Sequence, residues 1–314
     1  MNVRYVTFGI IVDDIVFPRG ETRMGVLGGG GPQTAWGIAA ALGTGESVGL
    51  VAGVGSDFDP ALLSPLRAAQ VNLEGVRVTE HPTPRAWQVL EFGGRRTQVW
   101  RVPQESLKLQ LARGWDVLPA SYKDAQAFHW GVHPDEVHSL DFARQLRQQG
   151  RRVSLEPFRS ARHPLNSEAL AKLLGACDIF SPNLLEAYSL TDCADESSIL
   201  ECFRALGGQV LALRRGADGA DVWDLQAREG VHVTAIPVDM VDEVGAGNAF
   251  CGALLARLDE GIDVAACHAS VAAAYMVEHI GLPPTLPAPE TYQARLHHAR
   301  GTLRALAWPN GLAC

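Results

Sequence analysis

The chain has 314 residues, 47% hydrophobic and 20% charged, with a formal net charge of -8. That acidic balance argues against a general nucleic-acid or membrane-surface binder, because such proteins gather Lys and Arg to neutralise phosphate. No polar linker divides the chain, so one domain over residues 1–314 is expected, and any phosphate it handles needs local cations or a metal.

In chain order, residues 1–8 read as a short strand, without the basic region and apolar core of a targeting signal. Residues 11–26 are extended and lie outside the rhythm that follows. Gly28-Gly29-Gly30-Gly31-Pro32-Gln33-Thr34 precedes an apolar helix over 35–42, so its backbone amides and the Gln33 side chain can face a ligand. No Gly-Lys-Ser or Gly-Lys-Thr follows, which excludes a Walker loop. Apolar runs at 48–51, 127–130, 153–155, 178–180 and 210–213 read as buried strands separated by helical patterns. That alternation predicts an α/β fold with a largely parallel sheet, its ligands at the carboxyl ends of the strands.

One segment interrupts the alternation. Residues 85–91 and 95–101 are β-like and flank Gly93-Gly94, a pair suited to a tight hairpin. With 11–26 they predict a small sheet lying over the domain, as a lid or a dimer contact; a plain surface hairpin is the competing reading. His129 and His133 have the spacing of a helical ligand pair but sit at a strand end before Pro134, which favours pocket lining over metal binding.

Ser181-Pro182-Asn183-Leu184-Leu185-Glu186 follows a strand and starts a helix, with Asn183 and Glu186 one turn apart. An amide oxygen and a carboxylate suit a water-clad Mg²⁺, and a helix start with Glu against the dipole fits equally. Arg214, Gly216 and Gly219 lie in a turn between strands, where an Arg can meet phosphate. The segment from Asp242 through Glu243, Gly245, Ala246 and Gly247 to Asn248 leads into a helix with apolar Phe250, Leu254 and Leu258. Small residues at a helix start, where amides lack partners and the dipole is positive, form an anion-binding loop. Cysteines at 177, 193, 202, 251, 267 and 314 form no C-x-x-C pair, which points to free thiols in a reducing cytoplasm. No apolar run approaches the roughly 18 residues of a membrane span.

Taken in order, these motifs resemble the ribokinase-like, or PfkB-type, family of sugar and nucleoside kinases, from about Tyr5 to Gly281. The last segment is similar to the family's D-T-x-G-A-G-D, the first glycine run to its G-G-x-x-x-N-x-A, and Asn183 to Glu186 to its N-x-x-E. Gly53 to Asp57 also falls where the family expects it. Gly-Ala-Gly-Asn and Glu156-Pro157 are similar to a divergent branch that includes the fungal maintenance-of-killer protein.

The resemblance implies a three-layer α/β/α fold with a small β lid, ATP as donor with Mg²⁺, and a monovalent cation as a further cofactor; an exposed strand edge of that lid would favour a homodimer through it. It places Asp14, Gly29 and Gln33 on the substrate and Gly245, Ala246 and Gly247 around the transferring phosphoryl group. Asn183, Arg214, Gly216, Gly219 and Asp242 would line the nucleotide, and Glu186 the metal. Where the family carries its catalytic aspartate this chain has Asn248, and an amide cannot take a proton. Gln33 for Asn and Glu243 for Thr are further departures. Two readings follow: a small-molecule kinase lacking the usual base, or a pseudokinase that binds nucleotide or metabolite as a sensor or partner protein.

Overall fold

The computed structural model describes residues 2–92, 96–136 and 140–309, so the Gly93-Gly94 turn and Cys314 lie outside the described residues. The chain opens with β1 (Tyr5–Phe8), β2 (Ile11–Val16) and β3 (Thr22–Gly28), then α1 (Gly30–Leu42), β4 (Val48–Val54), α2 (Ser64–Ala68) and β5 (Asn72–Val78). Next come β6 (Arg85–Leu90), β7 (Arg96–Trp100), α3 (Gln104–Gln110), β8 (Ala127–Val132), α4 (Asp141–Gln148), β9 (Arg152–Pro157) and α5 (Ser167–Leu174). Then follow β10 (Ile179–Phe180), α6 (Leu184–Leu190), α7 (Glu196–Ala205), β11 (Val210–Arg214), β12 (Ala220–Asp224) and β13 (Glu229–Val233). The chain closes with α8 (Ala246–Arg257), α9 (Ile262–Val277), α10 (Pro289–Thr302) and β14 (Arg304–Leu306).

The main sheet has ten strands in the order β14-β13-β12-β11-β10-β9-β8-β1-β4-β5. From β11 to β5 all neighbours are parallel, while β12, β13 and β14 add an antiparallel edge. A parallel strand covered on both faces should be apolar throughout, and every residue of β4 is buried. One core joins the sheet to α1, α8 and α9, with Trp36, Leu254 and Val271 fully buried; the other joins it to α4, α5 and α7 through Leu146, Leu173 and Phe203. These layers form the three-layer α/β/α arrangement. α1 begins at Gly30, five residues earlier than the apolar run suggests, because Gly29 turns the chain into the helix at φ 87°.

A second sheet has four strands in the order β3-β2-β6-β7, with β2 and β6 parallel. Its Ile15 and Leu90 pack on Val244, so it rests on the loop entering α8. Asp57, after β4, accepts from the Thr83 amide at 2.9 Å and the Thr83 hydroxyl at 2.7 Å, which pins the approach to β6. No helix among the described residues is long and apolar enough to cross a membrane.

α1 and α8 touch backbone to backbone. A Cβ on Gly37 would strike the Ala249 carbonyl, and one on Gly252 would strike the Thr34 carbonyl. This reciprocal contact sets how the start of α1 meets the start of α8. Gly252→Ala should cost about 1–3 kcal/mol through overpacking, read as a lower urea midpoint at unchanged m-value.

Candidate active site

The loop before α8 is tied at both ends. The Val241 amide donates to Val277 O at 2.7 Å, and Asp242 Oδ1 accepts from the Val244 amide at 3.0 Å. Gly245 takes φ 91°, a left-handed conformation that a side chain would strain, and the helix starts at Ala246. In this first turn the Ala246 amide reaches only the Glu243 carbonyl, at 3.4 Å, and the amides that follow it at the helix start lack intrahelical partners. Gln33 packs against this turn: a Cβ on Gly245 would lie 2.5 Å from the Gln33 Cδ, and Asn248 Nδ2 donates to Gln33 Oε1 at 2.5 Å. The structure thus brings Gln33, Gly245 and Asn248 together, with Gly30 beside the Asn248 side chain.

Behind the loop lies a charged cluster. Arg214 does not run outward with Gly216 and Gly219; its Nη2 donates to Ser181 O at 2.8 Å and to Glu186 Oε2 at 3.3 Å, and stands 3.3 Å from Glu156 Oε2. Its Nη1 occupies the place where a side chain on Gly247 would be. The Arg214 guanidinium, expected along the nucleotide, thus sits beneath the anion loop, drawn inward by two buried carboxylates. Burial works against the charge of Arg214, but Glu156, and then Glu186, raise its affinity for the proton. Burial likewise pushes Glu156 up, yet Arg214 and His129 together hold it below the usual carboxylate range.

Asn183 and Glu186 form a capping box: Asn183 Oδ1 accepts the Glu186 amide at 2.8 Å and Glu186 Oε2 the Asn183 amide at 2.7 Å. Burial raises the Glu186 pKa against the opposing charge of Arg214. Gly216 and Gly219 form the turn between β11 and β12, steadied by the neighbouring Arg215, which donates from Nε to Asp221 at 2.9 Å and from Nη1 to Glu196 at 3.0 Å. His129 and His133 do not converge. His129 Nδ1 meets Ser154 Oγ at 2.9 Å and Nε2 meets Glu156 Oε1 at 3.4 Å, whereas His133 packs edge-on against Phe158. His129, Glu156 and Cys251 have metal-like proximity, but Arg214 already supplies the counter-charge to that carboxylate.

The small sheet yields a residue that the sequence reading passed over. β2 pairs with β6 so that Asp13 faces Ala86, Asp14 faces Trp87 and Ile15 faces Gln88. Partners in register share a face, and residues two apart share it too. Asp13 therefore lies on the face that carries Ile15 and Leu90 onto the body, and Asp14 on the other. Asp13 Oδ1 accepts from Gln88 Nε2 at 2.8 Å, while its Oδ2 lies where a side chain on Gly28 would be. Asp14 is instead held by the Gly25 amide at 2.8 Å and by Arg101, whose guanidinium sits 5.1 Å from the Trp87 ring. The carboxylate at the glycine run of Gly28 and Gly29 is thus Asp13 and not Asp14. A choice between adjacent acids flips the face of the strand; the signal that finds it is phase with the apolar Ile15.

Burial raises Asp13 to about 7, with Gln88 and Arg96 opposing and Asp14 and Asp242 reinforcing the shift. Burial also lifts Asp242 to about 6; the Gly281 amide favours its anion without closing a hydrogen bond, and its buried Oδ2 has no partner among the described residues. Three carboxyl groups around this cleft, Asp13, Asp242 and Glu186, have raised pKa values, in each case chiefly because burial disfavours the charged form.

A carboxyl raised in the folded state binds a proton that the unfolded chain has lost, so it lowers stability as pH climbs from its unfolded value through the folded one. Asp13→Asn should therefore stabilise the protein at pH 8 by a few kcal/mol and much less at pH 4, flattening that part of the stability profile. Urea unfolding at the two pH values measures this, and equal effects at both would contradict it.

The chain is 26% identical to a cytidine kinase of Thermococcus kodakarensis over 82% of this chain and 89% of that protein. It is 24% identical to a nucleoside kinase of Methanothermobacter thermautotrophicus over 91% of this chain and 92% of that one. Among solved structures, a putative ribokinase II from E. coli in complex with ATP and Mg²⁺ superposes with a TM-score of 0.72 at 20% identity, covering 95% of this chain and all of that one. Residues 6–289 match the model of the pfkB family of carbohydrate kinases, and the chain belongs to that family.

Proposed function

We propose that the chain transfers the γ-phosphate of ATP to a hydroxyl of a nucleoside-like or sugar-like molecule bound between the small sheet and the glycine runs. The observation carrying this reading is the convergence of Gln33, Gly245 and Asn248 below a sheet that offers the buried carboxylate of Asp13. In it, the amides of Ala246 and Gly247 receive the transferring group, and Gln33, Gly29 and Asp13 hold the acceptor, with Asp14 bracing the sheet from outside. The likeness to a cytidine kinase and a nucleoside kinase favours a nucleoside over a free sugar.

The residues fit a divalent cation. Glu186 keeps Oε1 outside its capping box, Asp242 keeps a buried oxygen without a partner, and a cation there would offset the burial that disfavours both carboxylates. Mg²⁺ held through Glu186 and Asn183 would carry phosphate charge, and Asp242 Oδ2 is the oxygen a monovalent cation would meet. Gly216 and Gly219 would border the nucleotide. Exposed Met24 and Val99 on the small sheet, with Phe92 just after β6, support a homodimer through it, and the free thiols support a cytoplasmic setting.

Asn248 cannot accept the hydroxyl proton, and its Nδ2 is committed to Gln33. A positioned base contributes about 10²-fold to 10⁴-fold, while anion stabilisation and alignment survive its loss, so slow transfer is expected. The same commitment supports a second reading, a pseudokinase that binds nucleotide without turnover.

Calorimetry should show ATP binding that depends on Mg²⁺; its absence would remove the nucleotide from the proposal. In a nucleoside panel Asn248→Asp should raise turnover by about 10²-fold or more if the scaffold lacks only its base. A fall would assign proton removal to another residue. Asp13→Asn should raise the acceptor KM more than Asp14→Asn does, and the reverse order would return the substrate contact to Asp14.

A further inference from the structure

Arg96 is a cation of the small sheet on the face that meets the body, the face on which Arg23 also stands through its register with Ile15. It pairs in register with Leu90, the residue that packs on Val244, so its side chain leaves the sheet on the cleft side. There Nη2 donates to Phe158 O at 3.3 Å, just beyond β9, and this is its one hydrogen bond among the described residues. Its charge is felt at Asp13 on the sheet, Asp242 before the anion loop and Glu186 on α6, yet it forms no ion pair with any of them. Arg101, by contrast, is spent on Asp14 and Trp87 on the other face, and Arg214 is spent beneath the loop.

A guanidinium has five donors in a planar fork that matches phosphate oxygens. Arg96 uses one, on a backbone carbonyl, and its exposed side chain keeps the rest for a ligand, close enough for its charge to act on Asp13, Asp242 and Glu186. We propose that Arg96 is a catalytic residue that the small sheet brings onto the transferring phosphoryl group, a role that rests on the kinase reading above. In that step the acceptor oxygen bonds to the γ-phosphorus, the bond to the β–γ bridging oxygen breaks, and ADP leaves with its electron pair. The hydroxyl proton passes to water, because Asn248 cannot hold it. Arg96 offsets the negative charge on the equatorial oxygens, supplying through electrostatics part of what the missing base would have supplied.

The test compares wild type with Arg96→Gln, which keeps an N–H donor for Phe158 O but removes the charge, by calorimetry of Mg·ADP with and without fluoroaluminate in the presence of cytidine. Wild type should bind the fluoroaluminate complex more tightly than Mg·ADP alone. Arg96→Gln should lose about 10²-fold or more of that gain, with its Mg·ADP affinity retained; Arg96→Lys should recover part of it. A variant that keeps the full gain overturns the proposal, as does a wild type that binds Mg·ADP but gains nothing from fluoroaluminate; in both cases nucleotide binding still stands. If neither protein binds Mg·ADP, the kinase reading falls and takes this role with it.

Discussion

The site depends on the backbone contact between α1 and α8. Two helices that enter from different loops, one after a glycine run and one after the Asp242–Gly247 segment, can share a site only if their first turns are in register. Gly37 and Gly252 allow this by letting each helix lie against a carbonyl of the other. Side chains at both positions would push the axes apart, because interiors are close-packed and cannot absorb the added volume. The separation set there fixes the meeting of Gln33 with Gly245 and Asn248 a turn or more away, and the small sheet follows because it rests on Val244.

Around that scaffold the charges are arranged in layers. Deepest is the closed set of His129, Glu156 and Arg214, in which each buried charge has a partner and Glu156 stays ionised. Its product is a guanidinium fixed under Gly247, which reinforces the positive field of the α8 N-terminus. Nearer the cleft, Asp13 and Asp242 have no ion-pair partner among the described residues, while Glu186 shares Arg214 with Glu156. Buried carboxyl groups whose ionisation is disfavoured gather at ligand sites more often than elsewhere in a fold.

The alternation of short apolar strands with helical patterns made the parallel sheet legible, since a strand covered on both faces has little choice but to be apolar. The anion loop was legible for a comparable reason: small residues before an apolar helix have few other uses. What escaped the reading depended on side-chain direction. Arg214 looks like a surface phosphate ligand until Glu156, distant in sequence, is seen to pull it inward. Asp13 and Asp14 are adjacent and chemically identical, so only the phase of β2 against Ile15, and the partner strand β6, separates them. Arg96 carried no motif at all; its meaning comes from the register with Leu90 and from what lies across the gap.

Asn248 has a consequence for the history of a sample as well as for its mechanism. Amide side chains are thermolabile, and hydrolysis of this one, with water added as ammonia leaves, would give an aspartate, the residue the family ordinarily carries there. Ring closure onto the backbone, the usual route, needs the amide nitrogen of Ala249, and the helix commits that N–H to Gly245 O at 2.9 Å. Folded protein therefore guards its own sequence at this point, whereas heating or refolding releases the protection. A preparation that has aged can acquire a proton acceptor its gene does not encode, and an intact-mass difference of about one dalton is all that separates the two molecules.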